Sequence, residues 1–259
     1  MVKKPRSNGE DWKGLMYDPG LDGSNNIVEG IKTSYKLMMD VLKIGLPIAS
    51  EALDPVLQSY IGHLVSYMTI GARTVQSQTH KQIASGAAGV VGVKHPLDGD
   101  ISIAAATIKT AQSPTVLTGV NTASLAAAYD TKGNMGAHLI LRGTDTGSNY
   151  DAESVQAAIA VLEEKGLHRV PIVIDCAHGN AWPKKDYNMQ PKAYEAALDQ
   201  IAADPAGPVR GVGIEMHLHE GNQSIKDIPL CKGVSITDPC VSLETYEKML
   251  DYGKQVLTK

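Results

Sequence analysis

Two kinds of stretch alternate along this chain. Short apolar runs end abruptly on a polar residue, and longer segments carry apolar residues at helical spacing. The clearest run is Pro171-Ile-Val-Ile-Asp-Cys-Ala-His178, apolar until Asp175, Cys176 and His178. A strand buried on both faces reads this way. Comparable runs close on Glu51 (46–51), Arg73 (69–73), Lys94 (89–94), Arg142 (137–142) and Glu215 (211–215), and 115–120 is strand-like. Helical spacing predicts helices over 27–42, 55–67, 77–85, 101–111, 154–165, 191–203 and 242–257. On the first of these, Ile27, Ile31, Tyr35, Met38, Met39 and Leu42 form the expected buried face. The first 26 residues are polar and rich in Gly, Asp and Asn, and read as loop.

Strands alternating with helices over short connections imply parallel β/α units and an α/β fold. A polar residue at so many strand ends favours a closed (β/α)8 TIM-type barrel over an open sheet, because such residues converge on one rim. No linker, low-complexity segment or internal repeat interrupts residues 1–259, so one barrel domain is expected.

Composition narrows the function. With net charge −4 there is no electrostatic footprint for nucleic acid or an anionic membrane. Cys176, Cys231 and Cys240 are odd in number and lack metal-finger spacing, which suits a reducing compartment. No run approaches the roughly 20 apolar residues of a membrane span, and no apolar stretch follows the basic start as a signal peptide requires. A cytoplasmic protein is expected.

The strand-end residues fall into two chemical sets. Arg73, Lys94 and Arg142 are three cations expected on one rim, and they repel unless an anion binds among them. His178, Glu215 and Asp238 offer one imidazole and two carboxylates, a donor set suited to a divalent metal such as manganese or iron. His217 and His219 compete for the ligand role if the strand's period of two continues from Glu215. Cations beside a divalent metal point to a phosphorylated metabolite.

At this point the sequence resembles a known family. The stretches are KPRSNGEDWKGLMYDP (4–19), LPIASEALD (46–54), IGARTVQSQTHKQIASG (70–86) and GVKHPLDGD (92–100). They continue with HLILRGTDTGSNYDAESV (138–155), VIDCAHGN (173–180), GIEMHLHEGNQS (213–224) and GVSITDPC (233–240). In order and spacing these resemble the metal-dependent 3-deoxy-D-arabino-heptulosonate 7-phosphate (DAHP) synthases of the microbial, aromatic-regulated type. The resemblance implies a (β/α)8 barrel and a transferase that condenses phosphoenolpyruvate with erythrose 4-phosphate, the entry reaction of the shikimate pathway. It implies His178, Glu215 and Asp238 as ligands of a divalent metal of the Mn, Fe or Co class. It implies Lys4, Arg73, Lys94 and Arg142 as phosphoenolpyruvate contacts and Arg6 as the contact to the aldose phosphate. Lys94 and His178 are the candidate catalytic residues, and the complete enzyme is expected to be a homo-oligomer.

The match also has gaps. The family's further metal ligand is a cysteine in a Gly-Pro-Cys stretch on the first barrel strand, which would fall upstream of Met1, so the barrel is expected to be N-terminally incomplete. The family's Lys-Asn-Gly-Thr is replaced by Lys94-His95-Pro96-Leu97, and a Thr-Lys pair by Asn121-Thr122. Two other readings remain open on these residues: a divergent paralogue acting on another phosphosugar aldehyde, or a non-catalytic pseudoenzyme that binds a metabolite or a partner subunit.

Overall fold

The computed structural model describes residue 4 and residues 12–121, 123 and 125–258. These divide into two compact units, 1–93 with 106–137, and 94–105 with 138–259.

In the first unit, helix α1 (Ile27–Lys43) starts where the Asn26 side chain accepts the Glu29 N–H, and the chain leaves it through Gly45 at φ +84°. Its buried positions are Gly30, Ser34 and Met38, one face at a spacing of four. Gly30 is required there, since a Cβ would stand 2.2 Å from the Met16 carbonyl oxygen. The face expected from the sequence is therefore rotated: Ile27 and Tyr35 are exposed, because α1 packs through its smallest residues onto the 15–16 backbone. Strand β1 (Ala49–Glu51) pairs in parallel with β2 (Tyr67–Ile70), and β2 with β3 (Val90–Lys94). Helix α2 (Pro55–Ile61) carries Asp54 as its cap and Pro55 in its first turn, and α3 (Gln78–Gly86) joins β2 to β3. Helix α4 (Ile101–Ala111) follows β3.

The strand-like 115–120 segment is not a member of the parallel sheet. It forms β4 (Val116–Val120), which pairs antiparallel with β5 (Ala126–Asp130). Asn121 closes this hairpin: its side-chain oxygen accepts the N–H groups of Ala123 and Leu125. The alternating exposure of β4 is that of a hairpin with one wet face, whereas a central parallel strand is buried throughout.

In the second unit, β6 (His138–Leu141), β7 (Ile172–Asp175) and β8 (Val209–Gly213) pair in parallel with β7 in the middle. Helix α5 (Ala152–Glu164) connects β6 to β7, α6 (Gln190–Ala203) connects β7 to β8, and α7 (Leu243–Leu257) follows. All of β6 is buried, and Ile172 and Ile174 of β7 are fully buried. Each fully buried aliphatic side chain contributes about 1.5–3 kcal/mol. Helix α7 lies on α6 through Gly253, where a Cβ would meet the Tyr194 hydroxyl at 2.5 Å.

No helix among the described residues is long and apolar enough to cross a membrane. Cys176 and Cys240 are buried and Cys231 is exposed, all three as free thiols. Burial, and then the neighbouring Asp175 carboxylate, push the Cys176 thiol far above its ordinary range. Alkylation of the folded protein at pH 8 is therefore expected to label Cys231 first and to leave Cys176 unmodified until denaturant is added. Peptide mass mapping checks the order.

Candidate metal centre

The second unit places its chemistry just beyond the C-terminal ends of its strands. β7 ends at Asp175, and the chain then turns through a short 3-10 segment, His178–Asn180. His178 adopts φ +53°, a left-handed conformation that costs a non-glycine residue free energy. Its imidazole bridges two carboxylates. Nδ1 lies 2.9 Å from Asp175 Oδ2, an ion-pair contact not aligned as a hydrogen bond, and Nε2 lies 3.5 Å from Glu215 Oε1. Lys94, the last residue of β3, puts Nζ 2.8 Å from the same Asp175 Oδ2.

Asp175 is thus a buried carboxylate with a cation and an imidazole on one oxygen. Burial pushes its carboxyl up, but the charges of His178 and Lys94 outweigh burial and hold it well below the usual carboxylate range. An ionised Asp175 favours the proton of His178 on Nδ1 and leaves Nε2 to face Glu215.

Glu215 and Asp238 arrive from loops. β8 ends at Gly213, and Gln190 grips the Glu215 backbone at both ends. The Gln190 Oε1 accepts the Glu215 N–H at 2.9 Å, and Nε2 donates to its carbonyl at 3.2 Å. The Val241 N–H also donates to that carbonyl, which ties the Glu215 segment to the one carrying Asp238. Donor atoms of His178, Glu215 and Asp238 all lie within 4.8 Å of one another. One imidazole nitrogen and two carboxylate oxygens fit a divalent first-row cation. Lys185 Nζ stands 3.4 Å from Asp238 Oδ1, an additional positive charge at the edge of the cluster.

His217 and His219 do not join it. Both are exposed, and the Leu218 N–H donates to the His217 ring. The period-two argument fails because the strand stops at Gly213, before Glu215.

Arg142, one residue past β6, is buried, and its Nη1 donates to the Gly143 carbonyl. Asn180 staples this strand end to that of β7: its N–H donates to the Arg142 carbonyl and its Nδ2 to those of Leu141 and Asp175. The two strand ends approach so closely that Gly143 and Gly179 meet backbone to backbone. A Cβ on Gly143 would stand 2.1 Å from the Gly179 carbonyl carbon, and Gly143 has φ +71°.

The remaining expected substrate residues belong to the first unit or lie outside the described residues. Lys4 is buried, with its N–H donated to the Lys13 carbonyl. Arg73 is exposed in the turn after β2, three residues beyond Ile70. Arg6 lies outside the described residues. Sequence reasoning gave no role to Asp175, Gln190 or Asn180. Asp175 carried a signal, a carboxylate ending an apolar strand; Gln190 and Asn180 carried none that separates them from surface amides.

Residues 1–251 match the DAHP synthetase I family. The chain belongs to that family. It is 40% identical over 250 residues to the Tyr-sensitive phospho-2-dehydro-3-deoxyheptonate aldolase of Escherichia coli, covering 96% of this chain and 68% of that protein. It is 41% identical over 255 residues to the tyrosine-inhibited enzyme of Schizosaccharomyces pombe, covering 96% and 67%. The structure matches that of phospho-2-dehydro-3-deoxyheptonate aldolase from Francisella tularensis with a TM-score of 0.92 and 37% identity, over 99% of this chain and 73% of that one. The fold is shared, at a TM-score of 0.60 and 16% identity, with the structure of phospho-2-dehydro-3-deoxyheptonate aldolase from Thermotoga maritima. The fold is therefore the TIM-like DAHP synthase fold, an incomplete barrel in which six strands pair in parallel among the described residues, three in each unit.

Two substitutions follow from this geometry. Asp175→Asn leaves Lys94 without its buried anion and should lower the free energy of unfolding by about 3 kcal/mol or more, measured by urea denaturation. Gly143→Ala should lower it by about 2–5 kcal/mol, since the new Cβ meets backbone at a left-handed position.

Proposed function

We propose that this chain is a phospho-2-dehydro-3-deoxyheptonate aldolase that condenses phosphoenolpyruvate with erythrose 4-phosphate, forming DAHP and phosphate. The observation that carries the reading is the His178–Glu215–Asp238 cluster beside the Lys94–Asp175 pair, in a chain of this family. C3 of phosphoenolpyruvate attacks the aldehyde carbon and the new C–C bond forms. Water adds at C2, and the C2–O bond to phosphate breaks. A divalent cation of the Mn, Fe or Co class held by His178, Glu215 and Asp238 would polarise the aldehyde carbonyl as a Lewis acid.

The chain's own residues do the rest. Lys94 presents Nζ to the anionic substrate from the rim of β3, with Asp175 fixing its position. Arg142 offers a buried guanidinium, suited to a carboxylate or phosphate by its forked donors. Arg73, Lys4 and Arg6 are further anion contacts on the family resemblance alone. Asp175 orients His178, so Lys94 and His178 depend on one carboxylate.

The test is phosphate release from the two substrates by the purified protein with added Mn²⁺. Release that stops with chelator and returns with Mn²⁺ is expected. Glu215→Gln should lower the rate at least about 100-fold and weaken Mn²⁺ retention on dialysis. No phosphate release with Mn²⁺, Fe²⁺ or Co²⁺ would overturn the proposal.

A further inference from the structure

His95 is the residue after Lys94, and it has no exposed surface. Its ring is wired on both sides. Nδ1 lies 2.8 Å from the Pro96 carbonyl oxygen. Nε2 lies 3.0 Å from Asn149 Nδ2 and 3.2 Å from the Arg142 backbone nitrogen. The Asn149 amide orientation is settled by its other end, since Oδ1 accepts the Gly143 N–H at 2.7 Å. Asn149 therefore presents an NH2 group to the ring, and Arg142 presents a backbone N–H. Two donors on Nε2 leave it no proton of its own, and a carbonyl on Nδ1 requires one there. The hydrogen bonds select a single state, the neutral Nδ1–H imidazole.

That ring stands at the start of a continuous path. His95 Nε2 holds the Asn149 amide, Asn149 Oδ1 holds the Gly143 N–H, and the Gly143 carbonyl accepts from Arg142 Nη1. The Arg142 backbone N–H closes the loop on the ring. The backbone N–H of Asn149 is in turn held by Asn180 Oδ1 at 2.7 Å, which ties the path to the end of β7.

We propose that His95 is a positioning residue for anion binding: through Asn149 and the Gly143 peptide it sets where the Arg142 guanidinium stands. The inference rests on the reading of Arg142 as a phosphoenolpyruvate contact. A shorter side chain at position 95 keeps no acceptor at the Nε2 position, so the Arg142 N–H and the Asn149 amide lose their shared partner. Titration agrees with this wiring. Burial lowers the His95 pKa most; the Pro96 carbonyl opposes it, Arg142 lowers it further, and Asp175 and Asp98 raise it. Protonation at Nε2 would set a third donor against two, so the arrangement holds in the neutral state only.

The experiment combines two readouts on the full chain. Phosphoenolpyruvate binding is measured by calorimetry for the wild type and for His95→Gln, His95→Asn and His95→Leu. Gln carries an acceptor out to the Nε2 position, while Asn falls short of it. Binding within about threefold of wild type for His95→Gln, and at least tenfold weaker for His95→Asn and His95→Leu, is expected. In turnover, the KM for phosphoenolpyruvate should rise in the Asn and Leu variants with the KM for the aldehyde unchanged. If His95→Leu does not fold, the Gln and Asn variants alone decide. Equal binding by all folded variants would overturn the inference. Nitrogen-15 NMR of the wild-type histidines supplies the second readout: His95 should show a protonated Nδ1 and a bare Nε2 from pH 8 down to pH 6. A protonated Nε2 in that range would overturn the inference even if the wild type bound no phosphoenolpyruvate, an outcome that counts against the functional reading instead.

Discussion

Asp175 Oδ2 is the atom on which the second unit's chemistry turns, because Lys94 and His178 both meet it from different segments. A carboxylate brought out of water is costly unless charge and hydrogen bonds replace the lost hydration. Here the replacement comes from Lys94 and His178 at Oδ2 and from the Ala177 N–H, which donates to Oδ1 at 3.0 Å. Stability and site geometry are thereby coupled: the arrangement that satisfies the buried charge also aims Nζ of Lys94 and the ring of His178. The left-handed backbone of His178 fits this account, since its cost is borne by the contacts that over-determine the ring.

Around that atom the strand ends are locked by backbone rather than by bulky side chains. Gly143 and Gly179 allow two turns to touch, and Asn180 spends each of its polar groups on a neighbouring turn. Gln190 performs the same service for Glu215 from the first turn of α6. These amides are buried and satisfied, and a fully satisfied buried polar network rigidifies the elements it joins. A site that must hold donor atoms within a few ångströms needs such support, because exposed loops alone do not fix positions that well.

His95 shows how a chain can depart from its family's pattern and remain internally consistent. The residue lies in the loop where the family resemblance fails, yet every polar atom of its ring is engaged, and its engagement runs to Arg142. The departure at Asn121 is likewise absorbed, there by a hairpin whose turn the asparagine closes. Both substitutions make sense as local hydrogen-bond solutions.

Periodicity alone placed most helices and the parallel strands within a few residues, since burial on two faces and burial on one leave different spacings in the chain. The helix expected over 55–67 instead ends at Ile61, and Tyr67 opens β2. Residue type alone separated cations from metal-type donors, and the three donors so grouped, His178, Glu215 and Asp238, do lie together. Three things were settled only by tertiary contacts. The 115–120 run became half of a hairpin by pairing antiparallel with 126–130, a segment with no β-branched residue and so no strand signal of its own. Arg73 and Glu215 fell beyond their strands, as the hydrogen-bond ladder ends before the polar residue that a sequence reading takes for the strand's last position. And Glu215, not the exposed His217 and His219, came within reach of His178 and Asp238, on a backbone that Gln190 holds from 25 positions away. Spacing encodes which face of an element is buried; only the assembled fold decides which loop atoms meet across space.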